Sequence, residues 1–358
     1  MTYDVAIIGA GPSGATLARL IADSFKVLLV DKRQLTNHPQ NISLGKCCGG
    51  LLAPDAQAML SKMGLGLPKS VLAEPQLFVV RAIDTHQNLE RYYQRYYINM
   101  NRLKFEQWLL GMVPSSVDIR LDCRFKSYQL ENSRFKLNLL QHGTAHIEHA
   151  AILIGADGAS SAVRKQAVPH HTFPKKYLAI QQWLEADTKL PYFSTIFDPE
   201  ITDYYCWTIP KQDSLIIGAA LHSSPDVSNK FELLKNKLKD YGFRFGKTTR
   251  RQAALILRPV NTKQISTGTK SIALLGEAAG WISPSSAEGL SYAFNSALIL
   301  AQVLRKTPKN FESRYYQKTK KLRRNIFLKN IKSHFIYTPW LRKMVMTSGI
   351  QSMQVYKS

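Results

Sequence analysis

The chain has 358 residues, 45% of them hydrophobic, which suits two domains or one large α/β domain with an inserted sheet. No apolar run approaches the ~18 residues of a membrane-spanning helix, so the composition excludes a chain that crosses a bilayer. Lysine and arginine number 48 against 25 acids, and the net charge of +23 favours anionic partners: nucleic acid, phosphorylated substrates or an acidic lipid surface.

The first predicted elements form a strand, a turn and a helix. The apolar run 5–8 breaks into Gly-Ala-Gly-Pro-Ser-Gly at residues 9–14, a GxGxxG pattern that opens a predicted helix. The next apolar run, 26–30, ends at Asp31. A lone GxGxxG is weak evidence, but the flanking strands and the spacing to the carboxylate are those of a dinucleotide-binding unit.

Each residue of this pattern has a physical role in nucleotide binding. Gly9 permits the sharp turn, Gly11 lets the backbone approach a pyrophosphate, and Gly14 lets helix and strand pack closely. The helix N-terminus favours the phosphates. Asp31 stands where a carboxylate accepts hydrogen bonds from both ribose hydroxyls and repels a 2′-phosphate. The sequence therefore predicts FAD or NAD rather than NADP.

The start of the chain and its cysteines indicate a cellular compartment. No basic leader precedes residues 5–8, and that run is too short for the core of a signal peptide, so we expect a cytoplasmic protein. Cys47, Cys48, Cys123 and Cys206 show no CxxC spacing and no histidine at metal-ligand distance. We therefore expect reduced thiols and no metal site.

Two further strands run into glycine-rich turns. The run 151–154 leads into Gly-Ala-Asp-Gly at residues 155–158, and the run 271–275 leads into Gly-Glu-Ala-Ala-Gly at residues 276–280. Residues 290–304, rich in Ala, Leu and Ser, predict a long buried helix. Asp-Gly is also a common turn dipeptide, so a purely structural role is the alternative for the turn at residues 155–158.

The order of these elements resembles the flavoprotein group that includes p-hydroxybenzoate hydroxylase-like monooxygenases and geranylgeranyl reductases. The resemblance covers about residues 3–304 and implies FAD as the cofactor. It implies that Gly276 and Glu277 lie against the pyrophosphate and ribityl region, and that the helix after Gly289 points its N-terminus at the flavin pyrimidine, where that end stabilises the anion of reduced flavin. The family usually has Asp where this chain has Glu277.

The resemblance also gives a role to Arg102, which matches an arginine that opens a helix beside FAD in this group. It thus implies a cofactor-binding set spread along the chain. The members of that set are Gly9, Gly11, Pro12, Ser13, Gly14, Asp31, Lys32, Cys48, Gly49, Arg102, Asp157, Gly158, Gly276, Glu277, Gly280, Gly289 and Leu290.

Two segments favour the reductase branch. Residues 46–54 resemble the Pro-Cys-Gly-Gly stretch that geranylgeranyl reductases place near the isoalloxazine, with Cys48 at the family cysteine position. Residues 205–210 resemble the YxWxFP part of a reductase signature whose aromatic residues line the lipid cavity. The resemblance implies Cys48, Tyr205 and Trp207 as catalytic candidates. Taken alone, the two aromatic residues suit a sheet core and the thiol suits a small buried side chain.

Three stretches, at residues 49–57, 179–183 and 285–289, resemble the bacterial CbrA-type subgroup of these reductases. The resemblance is specific in its residues and spread along the chain. It does not supply the substrate of the subgroup.

The C-terminal segment is strongly basic. From Arg305 to Ser358 it carries fourteen Lys or Arg and a single acid, Glu312. Its apolar residues recur at spacings compatible with one face of a helix. These residues are Tyr315, Tyr316, Leu322, Ile326, Phe327, Ile331 and Phe335. The pattern fits either a membrane-surface element or a helix packed on the core with a solvated basic face.

The predicted fold is α/β, with a discontinuous Rossmann-type FAD-binding domain, an antiparallel-sheet substrate domain over the flavin and a C-terminal helical segment. The predicted ranges are 1–72, 100–168 and 267–305 for the FAD-binding domain, 73–99 and 169–266 for the substrate-binding sheet domain, and 306–358 for the basic amphipathic helical segment.

The predicted function is an FAD-dependent reductase that saturates carbon–carbon double bonds of an isoprenoid or polyprenyl phosphate lipid by hydride transfer from reduced flavin. Because no second GxGxxG appears, NAD(P)H visiting transiently or a protein donor would supply the electrons. An anionic membrane surface, on the inner face of the cytoplasmic membrane, is a further expected partner; nucleic acid is the partner that we favour least. The alternatives are a monooxygenase of the same fold and a non-catalytic flavin- and lipid-binding protein.

Overall fold

The computed structural model describes residues 1–35, 46–186 and 191–355. Numbered along the chain, its strands are β1 (Thr2–Ile8), β2 (Val27–Val30), β3 (Leu51–Leu52), β4 (Leu77–Asp84), β5 (Leu89–Asn99), β6 (Asp118–Arg120), β7 (Cys123–Glu131), β8 (Arg134–Gln141), β9 (Thr144–Gly155), β10 (Lys175–Glu185), β11 (Tyr192–Phe197), β12 (Cys206–Lys211), β13 (Ser214–Leu221), β14 (Thr248–Arg258), β15 (Gly268–Thr269) and β16 (Ile272–Leu274). Its helices are α1 (Pro12–Ile21), α2 (Pro54–Lys62), α3 (Arg102–Gly111), α4 (Ala162–Ala167), α5 (Val227–Asp240), α6 (Leu290–Lys306), α7 (Phe311–Lys318), α8 (Lys320–Tyr337) and α9 (Pro339–Ser348).

The first sheet has the strand order β15-β16-β9-β1-β2-β6, and β7 and β8 extend it from β9. Strands β9, β1 and β2 pair in parallel, with Ile8 opposite both Gly155 and Val30. They are short apolar runs because helices cover a parallel sheet on its faces. Their carboxyl ends meet at one edge of the sheet, where the glycine turns and the carboxylate of Asp31 follow.

Helices α1 and α6 pack against each other and against this sheet. Helix α6 is the long buried helix that the sequence predicts, and its core side chains include Phe294, Ala297 and Leu300. The helices therefore fix the start of α6 close to the start of α1, at the edge where the parallel strands end.

The second sheet has the order β14-β10-β13-β12-β11-β4-β5-β3. It is antiparallel, as predicted, except that β11 pairs with β4 in parallel. Side chains alternate between its faces. One face packs on α5 through Phe231 and Leu234, and the other carries an aromatic cluster that includes Tyr177, Phe193 and Trp207.

The C-terminal segment corrects one sequence expectation. The predicted single apolar face is divided, because Thr319 separates α7 from α8 and successive helix residues point about 100° apart. The buried members are Tyr315, Leu322 and Ile326, and the exposed members are Tyr316, Phe327, Ile331 and Phe335. The segment therefore packs on the core with one row of side chains and presents another row to solvent.

The observed architecture, two sheets with covering helices and further helices at the C-terminus, is the predicted α/β class. The division into domain ranges stays a prediction, and its last residues, 356–358, lie outside the described part of the chain. Within the described ranges, no helix is both long and apolar enough to span a membrane.

Candidate functional site

The turn between β1 and α1 closes one end of a large cavity. Gly9 has a φ of +108°, and a Cβ added there would overlap the carbonyl oxygen of Ala156. A Cβ at Gly14 would overlap the carbonyl oxygen of Gly9. In front of Gly11, in contrast, the nearest atom is Nη2 of Arg33 at 3.9 Å. Two of the three glycines thus allow close packing, and the third leaves open space.

Helix α1 begins at this open space. Gly11 occupies its N-cap position without a capping side chain, and Pro12 fills the first turn. Gly11, Pro12 and Ser13 line the cavity. Because the N–H groups of a first helical turn lack partners within the helix, they favour an anion such as a diphosphate.

Asp31 follows β2 at the same edge and also lines the cavity. Its carboxylate accepts the backbone N–H of Ala10 at 2.8 Å and that of Arg33 at 2.8 Å. The Arg33 guanidinium approaches its Oδ2 atom at 3.0 Å. Lys32 lines the cavity as well. The contact of Asp31 and Lys32 with a nucleotide remains a prediction, but both stand at the cavity wall.

Sequence reasoning missed the ion-pair network beside Asp31. Arg33 and Arg102 both bind the carboxylate of Glu106, at 2.7 Å each. Glu106 is only 1% exposed, and burial by itself would raise its pKa, but the two guanidinium groups outweigh burial and lower its pKa to about 2. The signal that could have found it is the i, i+4 spacing of Arg102 and Glu106 at the start of a helix.

A second missed group lies next to Asp31. Cys123, Arg124 and Phe125 line the cavity at the start of β7. The N–H of Cys123 donates to the carbonyl oxygen of Asp31 at 3.0 Å, which holds β7 against the end of β2. No local motif marks these residues, because their place depends on pairing between distant strands.

Cys47 and Cys48 lie at the middle of the cavity wall but face different surroundings. The Cys47 thiol lies 3.5 Å from the carbonyl oxygen of Ala179, and burial raises its pKa to about 12. The Cys48 Sγ atom lies 3.4 Å from Nη1 of Arg102. Gly49 lines the cavity beside it. Lys46 and Arg250 lie near enough to Cys47 to lower its pKa slightly against the effect of burial, whereas Cys48 contacts the Arg102 guanidinium directly.

The Asp-Gly turn after β9 faces the cavity from the first sheet. Asp157 accepts the N–H of Ala162 at 2.7 Å through Oδ2, whereas its buried Oδ1 has no hydrogen-bond partner. Burial raises the pKa of Asp157. Gly158 lines the cavity beside it. The buried Arg164 donates to the carbonyl oxygen of Ala278 at 3.1 Å, which joins this turn to the third one.

The third turn contributes less directly than expected. Glu277 lines the cavity, but its carboxylate binds Lys46 at 2.7 Å and accepts the N–H of Leu257 at 2.9 Å, so it links the turn to β14. Within the described ranges, Gly14, Gly276 and Gly280 are not among the residues that line the cavity.

The N-terminus of α6 does face the cavity. Gly289 is its N-cap residue, and Gly289 and Leu290 line the wall. The preceding Glu288 accepts the N–H of Ser291 at 2.7 Å. Gly289, Leu290 and Ala293 bring the start of α6 to the cavity, where the helix dipole favours negative charge.

Trp207 and Tyr205 line the cavity from the second sheet. Trp207 pairs across the strands with Gly218, and a Cβ on Gly218 would overlap the indole, so the ring lies directly over that glycine. Trp207 is 7% exposed, and its buried Nε1 has no partner. Tyr205 donates its hydroxyl to the carbonyl oxygen of Ser286 at 2.9 Å. Tyr205 thus braces the loop before α6, and Trp207 presents an unused donor.

Helices α8 and α9 form the far wall, which the sequence did not predict. Tyr337 of α8 lines the cavity and donates to the carbonyl oxygen of Ser285 at 2.9 Å. The buried Arg258 lies between the rings of Tyr204 and Tyr337, at 4.2 and 4.3 Å. Arg342 of α9 forms a buried ion pair with Asp84 at 2.6 Å, and its side chain also lines the cavity.

Polar groups of the cavity lining that have no partner in the protein fit a flavin dinucleotide. The cavity has a volume of about 1620 Å³, and it holds an open approach to a helix N-terminus at Gly11, an unpartnered acceptor on Asp157 and an unpartnered donor on Trp207. Buried polar atoms in native proteins are usually paired, so these atoms indicate that a polar ligand completes the site. Gly11 to Ser13 would hold its diphosphate, and Asp157 would hold a hydroxyl of its ribityl chain.

Comparison with known proteins agrees with this geometry. Residues 2–221 match the model of a family described as FAD binding domain. Protein CbrA of Escherichia coli O9:H4 (strain HS) is 41% identical over 97% of this chain and 94% of its own length.

Two solved structures show the same fold at lower identity. A geranylgeranyl bacteriochlorophyll reductase-like protein from Thermoplasma acidophilum superposes with a TM-score of 0.83 at 19% identity, covering 99% of this chain and 92% of that one. PqsL, a probable FAD-dependent monooxygenase from Pseudomonas aeruginosa, superposes with a TM-score of 0.70 at 16% identity, covering 98% of this chain and 99% of that one.

Proposed function

Because the chain belongs to the family of the CbrA proteins and carries an FAD-binding domain, it is an FAD-dependent oxidoreductase, and we propose that it saturates carbon–carbon double bonds of an isoprenoid or polyprenyl phosphate lipid. The observation that carries the proposal is the cavity, which runs from the glycine turn at Gly11 past Cys48 and Trp207 to the helices α8 and α9.

The size and lining of the cavity support a lipid substrate. Ligand pockets are usually about 300–1,000 Å³, so a volume of about 1620 Å³ leaves room beside a dinucleotide. Beyond Cys48 the walls are mainly aliphatic and aromatic. The lining there includes Val80, Tyr97, Phe193, Phe197, Trp207, Ile209, Ile336 and Met346. Such a dry surface suits a hydrocarbon chain rather than a small polar molecule.

The cofactor and the protein would contribute different steps of the proposed reaction. When bound, reduced FAD would supply a hydride for one alkene carbon, and the protein would have to supply a proton for the other carbon. An isolated alkene accepts hydride poorly, so Trp207 and its neighbours would act mainly by holding the double bond in place and excluding water. Cys48 would donate the proton, because it lines the cavity and its Sγ atom is positioned by Nη1 of Arg102 at 3.4 Å. Tyr205 would hold the loop at Ser286 that shapes the cavity.

Attachment to a membrane surface is part of the proposal. Phe335, which is 46% exposed, lies in one row of α8 with Phe327 and Ile331, and Trp340 of α9 is 62% exposed. Exposed lysines accompany this apolar surface. A basic amphipathic surface of this kind binds the headgroup region of anionic bilayers. Phe335 also lines the cavity, so a lipid could pass from the bilayer to the active site.

Lipid product analysis tests the proposed reaction. The holoprotein is incubated anaerobically with geranylgeranyl diphosphate and either NADH, NADPH or dithionite, and the lipid is analysed by mass spectrometry. We expect a product with added hydrogen and no oxygen. The fold likeness to PqsL favours one rival, a monooxygenase. Product formation only in air, with oxygen incorporated and NAD(P)H consumed in equal amount, would support that rival instead.

A further inference from the structure

Three cationic side chains line one part of the cavity. Arg95 extends from β5, and Lys329 and Lys332 extend from α8, so the cluster joins two elements distant in the chain. The Lys332 side chain stays exposed to solvent, but partial desolvation and the positive charges of Arg95 and Lys329 lower its pKa, so Lys332 lies near both of the other cations. Like charges brought together in this way repel unless an anion lies between them.

The protein supplies little negative charge to this cluster. Lys329 pairs with Asp55 at 3.3 Å, at a carboxylate that is itself 55% exposed. Neither Arg95 nor Lys332 forms an ion pair with a carboxylate anywhere in the described ranges, and the buried Nε of Arg95 has no hydrogen-bond partner. Glu288, the other acid on this wall, is held by Ser291 through contacts of 2.7 Å to its N–H and its hydroxyl.

The cluster is continuous with the apolar lining. The Arg95 guanidinium lies 5.4 Å from the centre of the Tyr97 ring, and that ring packs edge-on against Phe193 at 5.5 Å. Tyr97 and Phe193 belong to the same packed cluster as Trp207. A molecule with an anionic head and a hydrocarbon tail would therefore meet the cations with its head while its tail follows the aromatic wall toward Cys48.

The fold fixes the two lysines in place. Ser333, next to Lys332, is buried and accepts a hydrogen bond from Arg258 at 3.2 Å. The Ser333 hydroxyl in turn donates to the carbonyl oxygen of Pro284 at 3.2 Å. The turn of α8 that carries Lys332 is thus fastened to the loop before α6, although the Lys332 side chain itself is exposed.

We propose that Arg95, Lys329 and Lys332 form the binding subsite for the phosphate or diphosphate headgroup of the lipid substrate. The inference rests on the proposed lipid reductase function and names its substrate class: phosphorylated isoprenoids rather than free alcohols or quinones. Charge-assisted hydrogen bonds to phosphate oxygens would replace the missing carboxylate partners of Arg95 and Lys332.

Binding measurements with three probes test the subsite. The FAD-loaded protein is titrated with geranylgeranyl diphosphate, geranylgeraniol and inorganic pyrophosphate, as wild type and as the double variant Arg95→Gln/Lys332→Gln. We expect the wild type to bind the diphosphate lipid at least about tenfold more tightly than the alcohol, and the double variant to lose about tenfold or more for the diphosphate lipid alone. A matched variant, Lys321→Gln/Lys343→Gln, removes two exposed lysines of α8 and α9 that lie off the cavity and should behave like the wild type.

Each other outcome has a distinct meaning. Equal affinity of the wild type for the diphosphate lipid and the alcohol, or an unchanged affinity in the double variant, overturns the subsite while leaving the reductase proposal intact. Pyrophosphate binding as tightly as the lipid shows that the ligand is a free anion and overturns the headgroup assignment. Failure of both lipids to bind overturns the lipid reductase proposal itself. Flavin content and melting temperature of each variant confirm that it is folded.

Discussion

The two ends of the cavity are built by different means. At the nucleotide end, backbone geometry makes the site: the turn at Gly9–Gly14, the N-terminus of α1 and the carboxyl ends of parallel strands. At the far end, side chains from distant parts of the chain make it, through the Arg258–Tyr337 contact and the Arg342–Asp84 ion pair. A site of backbone turns leaves a local motif in the sequence, whereas a site of long-range side-chain contacts does not.

The difference extends to how each end tolerates change. At Gly9 and Gly14 of the nucleotide end, an added side chain would overlap the backbone of another residue, whereas the space in front of Gly11 is open. The far end depends on buried charges, which are costly when one partner is removed. Substitutions at the nucleotide end should therefore act through steric overlap, and substitutions at the far end through the loss of an electrostatic partner.

The largest expected effects come from the nucleotide turn and separate its two kinds of glycine. Gly14→Ala should abolish both folding and flavin binding, because its Cβ would overlap the carbonyl oxygen of Gly9. Gly11→Val should keep the fold and lose FAD, because the space before Gly11 is open in the protein and would be filled by pyrophosphate. Flavin absorbance of the purified variants measures cofactor binding, and circular dichroism measures folding.

Gly66→Ala is the control, because a Cβ there meets no atom within 4 Å. It should retain flavin and secondary structure. A Gly11→Val protein that remains yellow would show that the open space in front of Gly11 is not the diphosphate site.

Next in size is the buried ion pair at the far end. Arg342→Ala leaves Asp84, which is 0% exposed, without its cation, and should cost about 3–5 kcal/mol in the free energy of unfolding. Arg305→Ala removes a pair with Asp23 in which both side chains are well exposed and screened by water, and should change the free energy of unfolding far less. Denaturant unfolding measures the two costs, and equal values would contradict a far end held by buried charge.

The Glu106 network gives a pH-dependent effect of intermediate size. Its folded pKa of about 2 lies below the ordinary glutamate value of 4.5. A lowered carboxyl pKa stabilises the fold fully above the unfolded value, and the contribution is lost as pH falls from about 4.5 toward about 2. The stability difference between wild type and Glu106→Gln should therefore be about 3 kcal/mol at neutral pH and shrink through this range.

Unfolding curves at several pH values provide that measurement. Glu131→Gln serves as the control, because Glu131 is 46% exposed and pairs with Lys136. Its effect on stability should be small. A Glu106→Gln effect that stays constant from pH 7 to pH 3 would rule out an ionised Glu106 as the partner of the two arginines.

A smaller effect on the fold, but a clear one on turnover, is expected at Gly218. Gly218→Ala should push the Trp207 indole out of its position over the glycine, because the new Cβ would overlap the ring. We expect unchanged flavin content, a stability loss of about 1–3 kcal/mol and turnover reduced by about tenfold or more. Gly111→Ala, with open space around its Cβ, is the matched control. Normal turnover in Gly218→Ala would remove Trp207 from the reaction site.

The sequence predicted those parts of the molecule that local chemistry determines. The strand–turn–helix at the start, the helix that begins at Arg102 and the helix after Gly289 all follow from residue order, because glycines, caps and apolar runs act over a few positions. FAD as the cofactor follows from the same patterns and from the family resemblance.

The sequence did not predict the parts that depend on which element packs where. The sequence of α8 does not distinguish which row of apolar residues at i, i+4 spacing is buried. In the structure Ile326 is buried and Phe327 is exposed, because only one row packs against the core. The motif around Glu277 predicts a role at the cofactor, but the structure shows its side chain accepting the N–H of Leu257 in the second sheet. Such contacts arise from tertiary packing and carry no short-range signature.

An anaerobic single-turnover experiment tests the central claim most directly. The holoprotein is reduced with dithionite, mixed without oxygen with geranylgeranyl diphosphate, and followed by flavin absorbance and lipid mass. The account predicts that the oxidised flavin spectrum returns and that each turnover adds two hydrogen atoms to the lipid, more slowly in Cys48→Ala. A flavin that stays reduced beside bound, unchanged lipid would contradict it.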